Sequence, residues 1–157
     1  MKRLSSCIAG IFLASCLSTA FAQNQDTIKV VPVQPTVSHV KEMTCRTFIK
    51  EVYDYRRKST PWLFKGSKPA CIVLYANWCS PCREMAPIIE NLAIEYNDSV
   101  KFYKVNIDNE KAITDYFKAS YIPFFVLIPL FDEPQKFSGT MDKETFRKKI
   151  EEVLFDR

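Results

Sequence analysis

The residues best suited to chemistry are two cysteines three positions apart, Cys79 and Cys82, in the run Trp78-Cys79-Ser80-Pro81-Cys82. A thiolate is the reacting form of cysteine, and two thiols one helical turn apart can close a small disulfide and reopen it. The run follows a continuous apolar stretch, Cys71 to Ala76, and opens an amphipathic one, Ser80 to Tyr96, so it falls where a buried strand gives way to a helix. A helix N-terminus exposes unpaired N–H groups and the positive end of the macrodipole, and both stabilise a thiolate. Cys79 comes first, which predicts an exposed sulfur at that end with Cys82 one turn further in. Pro81 suits a first helical turn, where its missing N–H removes no bond.

The same spacing serves other ends. It occurs in zinc sites, but zinc takes about four N or S ligands. Beyond this pair the body of the chain offers only Cys45, Cys71 and the single histidine, His39, with Cys71 in an apolar strand. No metal site and no cofactor are expected. A purely structural bridge is the other alternative, although so tight a loop removes little chain entropy. For Cys71 a buried, inert thiol is the expectation, and a second disulfide between Cys45 and Cys71 is the rival to it.

The elements that must hold the pair are legible in the hydrophobic pattern. A helix is expected from Thr44 to Tyr55, capped by Thr44 and carrying Phe48, Val52 and Tyr55 on one face. Residues 56–69 contain Arg56-Arg57-Lys58, Pro61-Trp62 and Gly66 and read as a loop, with Trp62 and Phe64 as surface packing. The helix from Ser80 carries Met85, Ile88, Ile89, Leu92, Ala93 and Tyr96 at three- and four-residue steps, and Pro87 inside it predicts a kink. A strand follows over 100–107, then a helix capped by Asp108 with Ile113, Tyr116 and Phe117. Phe124 to Ile128 and Gln135 to Ser138 are strands joined by a turn, and Asp142 caps a last helix carrying Phe146, Ile150, Val153 and Leu154. Alternating strands and helices predict an α/β domain, with parallel pairing at the centre and an antiparallel edge from the last two strands.

The N-terminus reads as an export segment. Lys2 and Arg3 precede an apolar run from Cys7 to Leu17, and Ala20-Phe21-Ala22 is a small-x-small cleavage site. Residues 1–22 are therefore expected to be a signal peptide, residues 23–42 a polar linker and residues 43–157 the folded domain. A rival reading makes Leu13-Ala14-Ser15-Cys16 a lipoprotein box with Cys16 lipidated; the apolar residues continuing past Cys16 argue against it. Export places the protein in an oxidising compartment, the periplasm, where disulfides persist unless actively reduced. The 157-residue chain has a formal charge of +4, and removing Lys2 and Arg3 leaves 20 basic against 18 acidic residues. That balance argues against nucleic acid or an anionic membrane surface as a partner.

With these residues in place, the chain from 71 to 157 resembles thioredoxin. The matching stretches are Tyr75-Ala76-Asn77-Trp78-Cys79-Ser80-Pro81-Cys82, Ala86-Pro87, Lys104-Val105-Asn106-Ile107-Asp108 and Ile122-Pro123, with Gly139 at the position of a glycine near the family's active site. The spacing from Cys82 through Pro123 to Gly139 matches without gaps. The resemblance implies a thioredoxin-like fold, a central mixed sheet flanked by helices in one domain, acting as a protein-disulfide reductase or isomerase without a cofactor. Cys79 would attack a substrate disulfide and Cys82 would resolve the mixed disulfide. Ile122-Pro123 resembles the family's cis-proline, and Trp78, Pro81, Ile122 and the region of Gly139 would receive an extended substrate peptide.

Two departures from the family stand out. Val73 lies two residues before Tyr75, where members commonly carry a buried acid that takes the proton of the resolving cysteine. Its usual partner resembles Lys104, which remains. Deprotonation of Cys82 would then need water or another group. Ser80 stands where thioredoxin usually has glycine and could donate a hydrogen bond towards Cys79. Strong oxidants of the superfamily usually carry histidine inside the CxxC, so Ser80-Pro81 favours electron donation to substrate. The expected partners are disulfide-containing protein substrates and a membrane-embedded electron donor, and the expected state is a monomer. The alternatives are a non-catalytic binding module built on Cys79-independent docking, a dedicated dithiol oxidase, or a cytochrome c maturation reductase.

Overall fold

A computed structural model describes residues 38–57 and 61–155. The expected export segment, Cys16 and most of the linker lie outside the described residues.

Five strands form one sheet in the order β1-β3-β2-β4-β5. They are β1 (Lys41–Glu42), β2 (Ala70–Tyr75), β3 (Lys101–Asn106), β4 (Phe124–Ile128) and β5 (Gln135–Ser138). β1 and β2 each run parallel to β3, whereas β4 is antiparallel to both β2 and β5. The most continuously apolar segment, β2, takes the middle of the sheet. There it meets β3 along its whole length and β4 from Ala70 opposite Ile128 to Leu74 opposite Phe124.

Side chains alternate across a strand, so β2 feeds two cores. Cys71 and Val73 join Phe125 and Leu127 beneath α2 (Ser80–Tyr96) and α4 (Lys143–Leu154), which contribute Met85, Leu92, Phe146 and Ile150. Ala70, Ile72 and Leu74 join Val126 and Ile128 on the other face beneath α1 (Cys45–Glu51) and α3 (Lys111–Phe117), which contribute Phe48, Ile113 and Phe117. Burial on both faces is why the strand reads as an unbroken apolar run rather than an alternating one.

The helix starts follow local capping chemistry. Thr44 Oγ1 accepts from the N–H of Thr47, and Asp142 Oδ1 accepts from the N–H of Thr145 at 2.9 Å, as their sequence positions suggest. α1 is shorter than its hydrophobic pattern predicts and stops at Glu51. The N–H groups of Val52 and Tyr53 both converge on the carbonyl of Phe48, which turns the chain away, and Tyr55 still packs against the Phe48 ring at 6.0 Å. Asp108 does not cap α3. That helix begins after Glu110, whose carboxylate instead accepts from the N–H of Cys45 at 2.7 Å and ties α3 to the start of α1. Pro87 lies inside α2 without ending it. Lys41–Glu42, placed in the linker by sequence, pair with β3, and Val40 and Met43 beside them are buried. Two residues are too few to show a period. In the loop, Trp62 packs against Tyr53 with ring centroids 4.7 Å apart and planes tilted by 31°, so this aromatic packs on the domain's own core.

Phe146 is fully buried between α4 and the sheet, against Phe125 and Phe137. Phe146→Ala is expected to lower the free energy of unfolding by about 3–5 kcal/mol, measured by urea titration of far-UV circular dichroism.

Candidate active site

β2 delivers the chain to Ala76 at the end of the sheet, and α2 starts four residues later. Cys79 occupies the N-cap of α2 with extended backbone (φ −79°, ψ 106°), and its Sγ accepts the N–H of Cys82 at 3.1 Å. The sulfur thus takes the capping place usually held by an oxygen, at the positive end of a seventeen-residue helix with no acidic residue in its first turn. Cys79 N–H in turn donates to the carbonyl of Ala76, and Arg83 N–H to that of Cys79. Pro81 lies in the first helical turn, as its fixed φ favours.

Cys79 and Cys82 are joined by a disulfide with Cα atoms 5.3 Å apart. The exposed sulfur expected at Cys79 is not what the bridged form shows. Cys79 is 4% and Cys82 7% exposed, because each sulfur covers the other while Ile122 and Tyr75 pack against the pair. Together with Ala76 the cysteines make a small cluster of their own at the end of the sheet, outside the two large cores. Its rim is open, with Asn77, Trp78, Ser80 and Pro81 all exposed. Ser80 makes no bond to the Cys79 sulfur, whose hydrogen bond comes from the Cys82 N–H.

Trp78 is 66% exposed beside the disulfide, and its indole N–H donates to Asp108 Oδ2 at 3.1 Å. Asp108, read from sequence as a helix cap, therefore anchors the aromatic side chain next to Cys79. Opposite, the Ile122–Pro123 peptide bond is cis, and Pro123 is buried at the entry to β4. Gly139, at the end of β5, donates its N–H to the Pro123 carbonyl at 3.0 Å. Gly139 has φ +98°, a conformation L side chains rarely adopt, so glycine is required there by the backbone and not by crowding. Trp78, Pro81, Ile122, Pro123 and Gly139 thus belong to one end of the molecule around the cysteine pair. Tyr121, next to Ile122 in the chain, is 78% exposed.

Lys104 lies behind the pair. It lines a cavity of about 250 Å³ together with Val73, Tyr75 and Cys82, and its ammonium is 3.2 Å from Glu42 Oε1. Glu42 also accepts a hydrogen bond from the Tyr75 hydroxyl at 2.7 Å. Burial, and then the Glu42 carboxylate beside it, push the Tyr75 phenol up to about 12. Val73 presents only an apolar face here and is 3% exposed. Sequence position alone points to neither Glu42, which falls in the linker, nor Tyr75, which ends a buried apolar strand.

The other two cysteines of the described residues are unpaired. Cys71 faces the core beneath α2 and α4, whereas Cys45 packs on the opposite face, so a bridge between them would have to cross the sheet. Complete burial pushes the Cys71 thiol far up, which leaves it without thiolate at neutral pH. Cys45 is also raised, by partial burial and then by the Glu110 carboxylate. Among the described residues no three His, Cys, Asp or Glu side chains gather as metal ligands.

The thioredoxin family model matches residues 58–152. The chain is 34% identical over 112 residues to the thioredoxin of Borreliella burgdorferi, covering 71% of this chain and 95% of that protein. It is 29% identical over 107 residues to the M-type chloroplastic thioredoxin of Spinacia oleracea, covering 68% of this chain and 59% of that one. Among solved structures it is similar to chloroplastic thioredoxin z, with a TM-score of 0.60 over 73% of this chain and 93% of that one; at 17% identity this is a likeness of fold.

The burial of Cys71 has a direct chemical readout. Iodoacetamide at pH 8 is expected to leave Cys71 unlabelled in the reduced native protein and to label it fully in urea, as read by peptide mass spectrometry.

Proposed function

The chain belongs to the thioredoxin family and is a thiol–disulfide oxidoreductase, and from that premise we propose that it reduces protein disulfides in the periplasm through Cys79 and Cys82. The observation that carries this reading is the disulfide across the first turn of α2, with the Cys79 sulfur at the N-cap and the Ile122–Pro123 segment against it.

In the reduced protein the Cys79 thiolate is stabilised by the Cys82 N–H and the helix dipole. It attacks one sulfur of a substrate disulfide, giving a mixed disulfide and releasing the other substrate sulfur as a thiolate. Cys82 then attacks Cys79, which frees the second substrate thiol and closes the Cys79–Cys82 bridge. The substrate disulfide gains two electrons and the protein dithiol loses them. Trp78, Pro81, Tyr121 and Ile122 form the apolar rim on which an extended peptide adds beside the start of β4, with Gly139 holding the Pro123 carbonyl from the far side. The absence of histidine between the cysteines supports the reducing direction, since no cation inside the CxxC stabilises the reduced form further. The export signal in residues 1–22 supports the periplasm, and a protein there is re-reduced by a membrane-embedded dithiol donor. The protein acts as a monomer on this reading, with isomerisation of mispaired substrates as the same chemistry run on a bridge that re-forms elsewhere.

Insulin reduction driven by dithiothreitol is expected to accelerate with the wild-type protein and to fall to the dithiothreitol background with Cys79→Ser. Equal rates for the two proteins would overturn the enzymatic reading in favour of a binding module. Cys82→Ser is expected to accumulate substrates covalently on Cys79, visible as adducts on non-reducing gels that collapse on reduction. An absence of adducts from the periplasm would remove the resolving role of Cys82.

A further inference from the structure

Resolution of the mixed disulfide requires the Cys82 thiol to give up a proton as its sulfur attacks Cys79. Val73 provides no acceptor for it. The cavity behind Cys82 holds the groups that could. It is about 250 Å³, room for several water molecules, and it reaches from Cys82 past Val73 to Tyr75 and Lys104. Tyr75 also packs against the cluster that contains both cysteines. Its hydroxyl donates to Glu42 Oε1 at 2.7 Å, and the same carboxylate oxygen holds Lys104 at 3.2 Å.

We propose that Tyr75 and Glu42 are the proton exit for Cys82, a relay that leaves the cavity towards β1. This rests on the proposed dithiol mechanism. As Cys82 Sγ bonds to Cys79 Sγ, the Cys79–substrate bond breaks and the substrate departs as a thiolate. The Cys82 proton passes through cavity water to the Tyr75 oxygen, and Tyr75 passes its own proton to Glu42. Glu42 is half-exposed and returns the proton to solvent. A phenol is protonated at neutral pH, as a relay must be, and burial and the facing carboxylate disfavour the Tyr75 anion further. Lys104, whose Nζ lies 5.7 Å from the Tyr75 ring centroid, positions Glu42.

The remaining charged groups lining the cavity, Arg83 and Glu90, both come from α2. Arg83 bears no exchangeable acceptor at neutral pH, and it donates to the Asn77 carbonyl. Glu90 is engaged by His39 N–H, by the His39 ring at 3.2 Å and by the Ser38 hydroxyl at 2.9 Å. Burial raises the Glu90 carboxyl, but these hydrogen bonds outweigh it and hold it below its ordinary value, so it is a poor base. That leaves Glu42 as the carboxylate with a hydrogen-bonded connection to a group beside Cys82.

The test uses the full-length reduced protein and one equivalent of 5,5′-dithiobis(2-nitrobenzoate) in stopped flow. The first release of coloured thiolate reports attack by Cys79, and the second reports resolution by Cys82. Tyr75→Phe removes only the hydroxyl, and Glu42→Gln removes only the charge. In each, the second release is expected to slow at least about tenfold at pH 7, with the gap closing as pH rises towards 9 and hydroxide takes over. The first release serves as the internal reference. A second release within about twofold of wild type, or one slowed equally at every pH, would overturn the relay. A missing first release in the wild type would instead overturn the dithiol mechanism itself.

Discussion

Burial of β2 on both faces is the constraint from which the site follows. A strand so enclosed has no freedom to slip, because a one-residue shift would exchange the side chains of its two cores. Its last residues are fixed by pairing to β3 on one side and β4 on the other, and the chain must leave the sheet at Ala76. The start of α2 is fixed from its other end, where Met85 and Leu92 are locked into the core beneath α4. Cys79 is caught between these two anchors. Its sulfur sits at the helix N-cap because the backbone on either side has nowhere else to go.

The two cysteines share a bond but not an environment. Cys79 occupies the N-cap of α2, flanked in the chain by exposed Trp78 and Ser80, where backbone N–H groups and the helix dipole supply positive potential. Cys82 lies one turn inside and borders the cavity of Val73, Tyr75 and Lys104. Nucleophile and resolving thiol are thereby separated into an electropositive front and a partly apolar back. The front depends on α2. The back is lined by β2, β3 and α2, and Glu42 of the two-residue β1 is tied to it through Tyr75 and Lys104, so a peripheral element contacts the groups beside the inner sulfur.

Much of this arrangement was legible in the sequence. The apolar run of β2, the helical stripe of α2 and the caps at Thr44 and Asp142 are local patterns, and local patterns survive folding. The CxxC and Ile122-Pro123 were legible because their spacing carries the information. What escaped were the contacts made at a distance. Asp108 reads as a cap because it precedes a helix, yet its carboxylate is taken by an indole thirty residues earlier in the chain. Glu110 likewise serves the first turn of a different helix. Glu42 escaped because a two-residue strand has no period, and its value as a partner of Tyr75 and Lys104 exists only once β1 lies beside β3. Burial of the Cys79 sulfur escaped because it is a property of the bridged pair together with Ile122, not of helix position alone.

The sealing of Cys71 within the sheet has an electron-counting consequence. Four cysteines lie beyond residue 22, and each way of pairing all four requires a bond to Cys71. The folded domain permits none of them, so it holds one dithiol and has no internal store from which to refill it. Each catalytic cycle therefore carries a single pair of electrons and must be reset from outside before the next. Bond scrambling is confined to the unfolded chain, where the sheet no longer stands between the sulfurs.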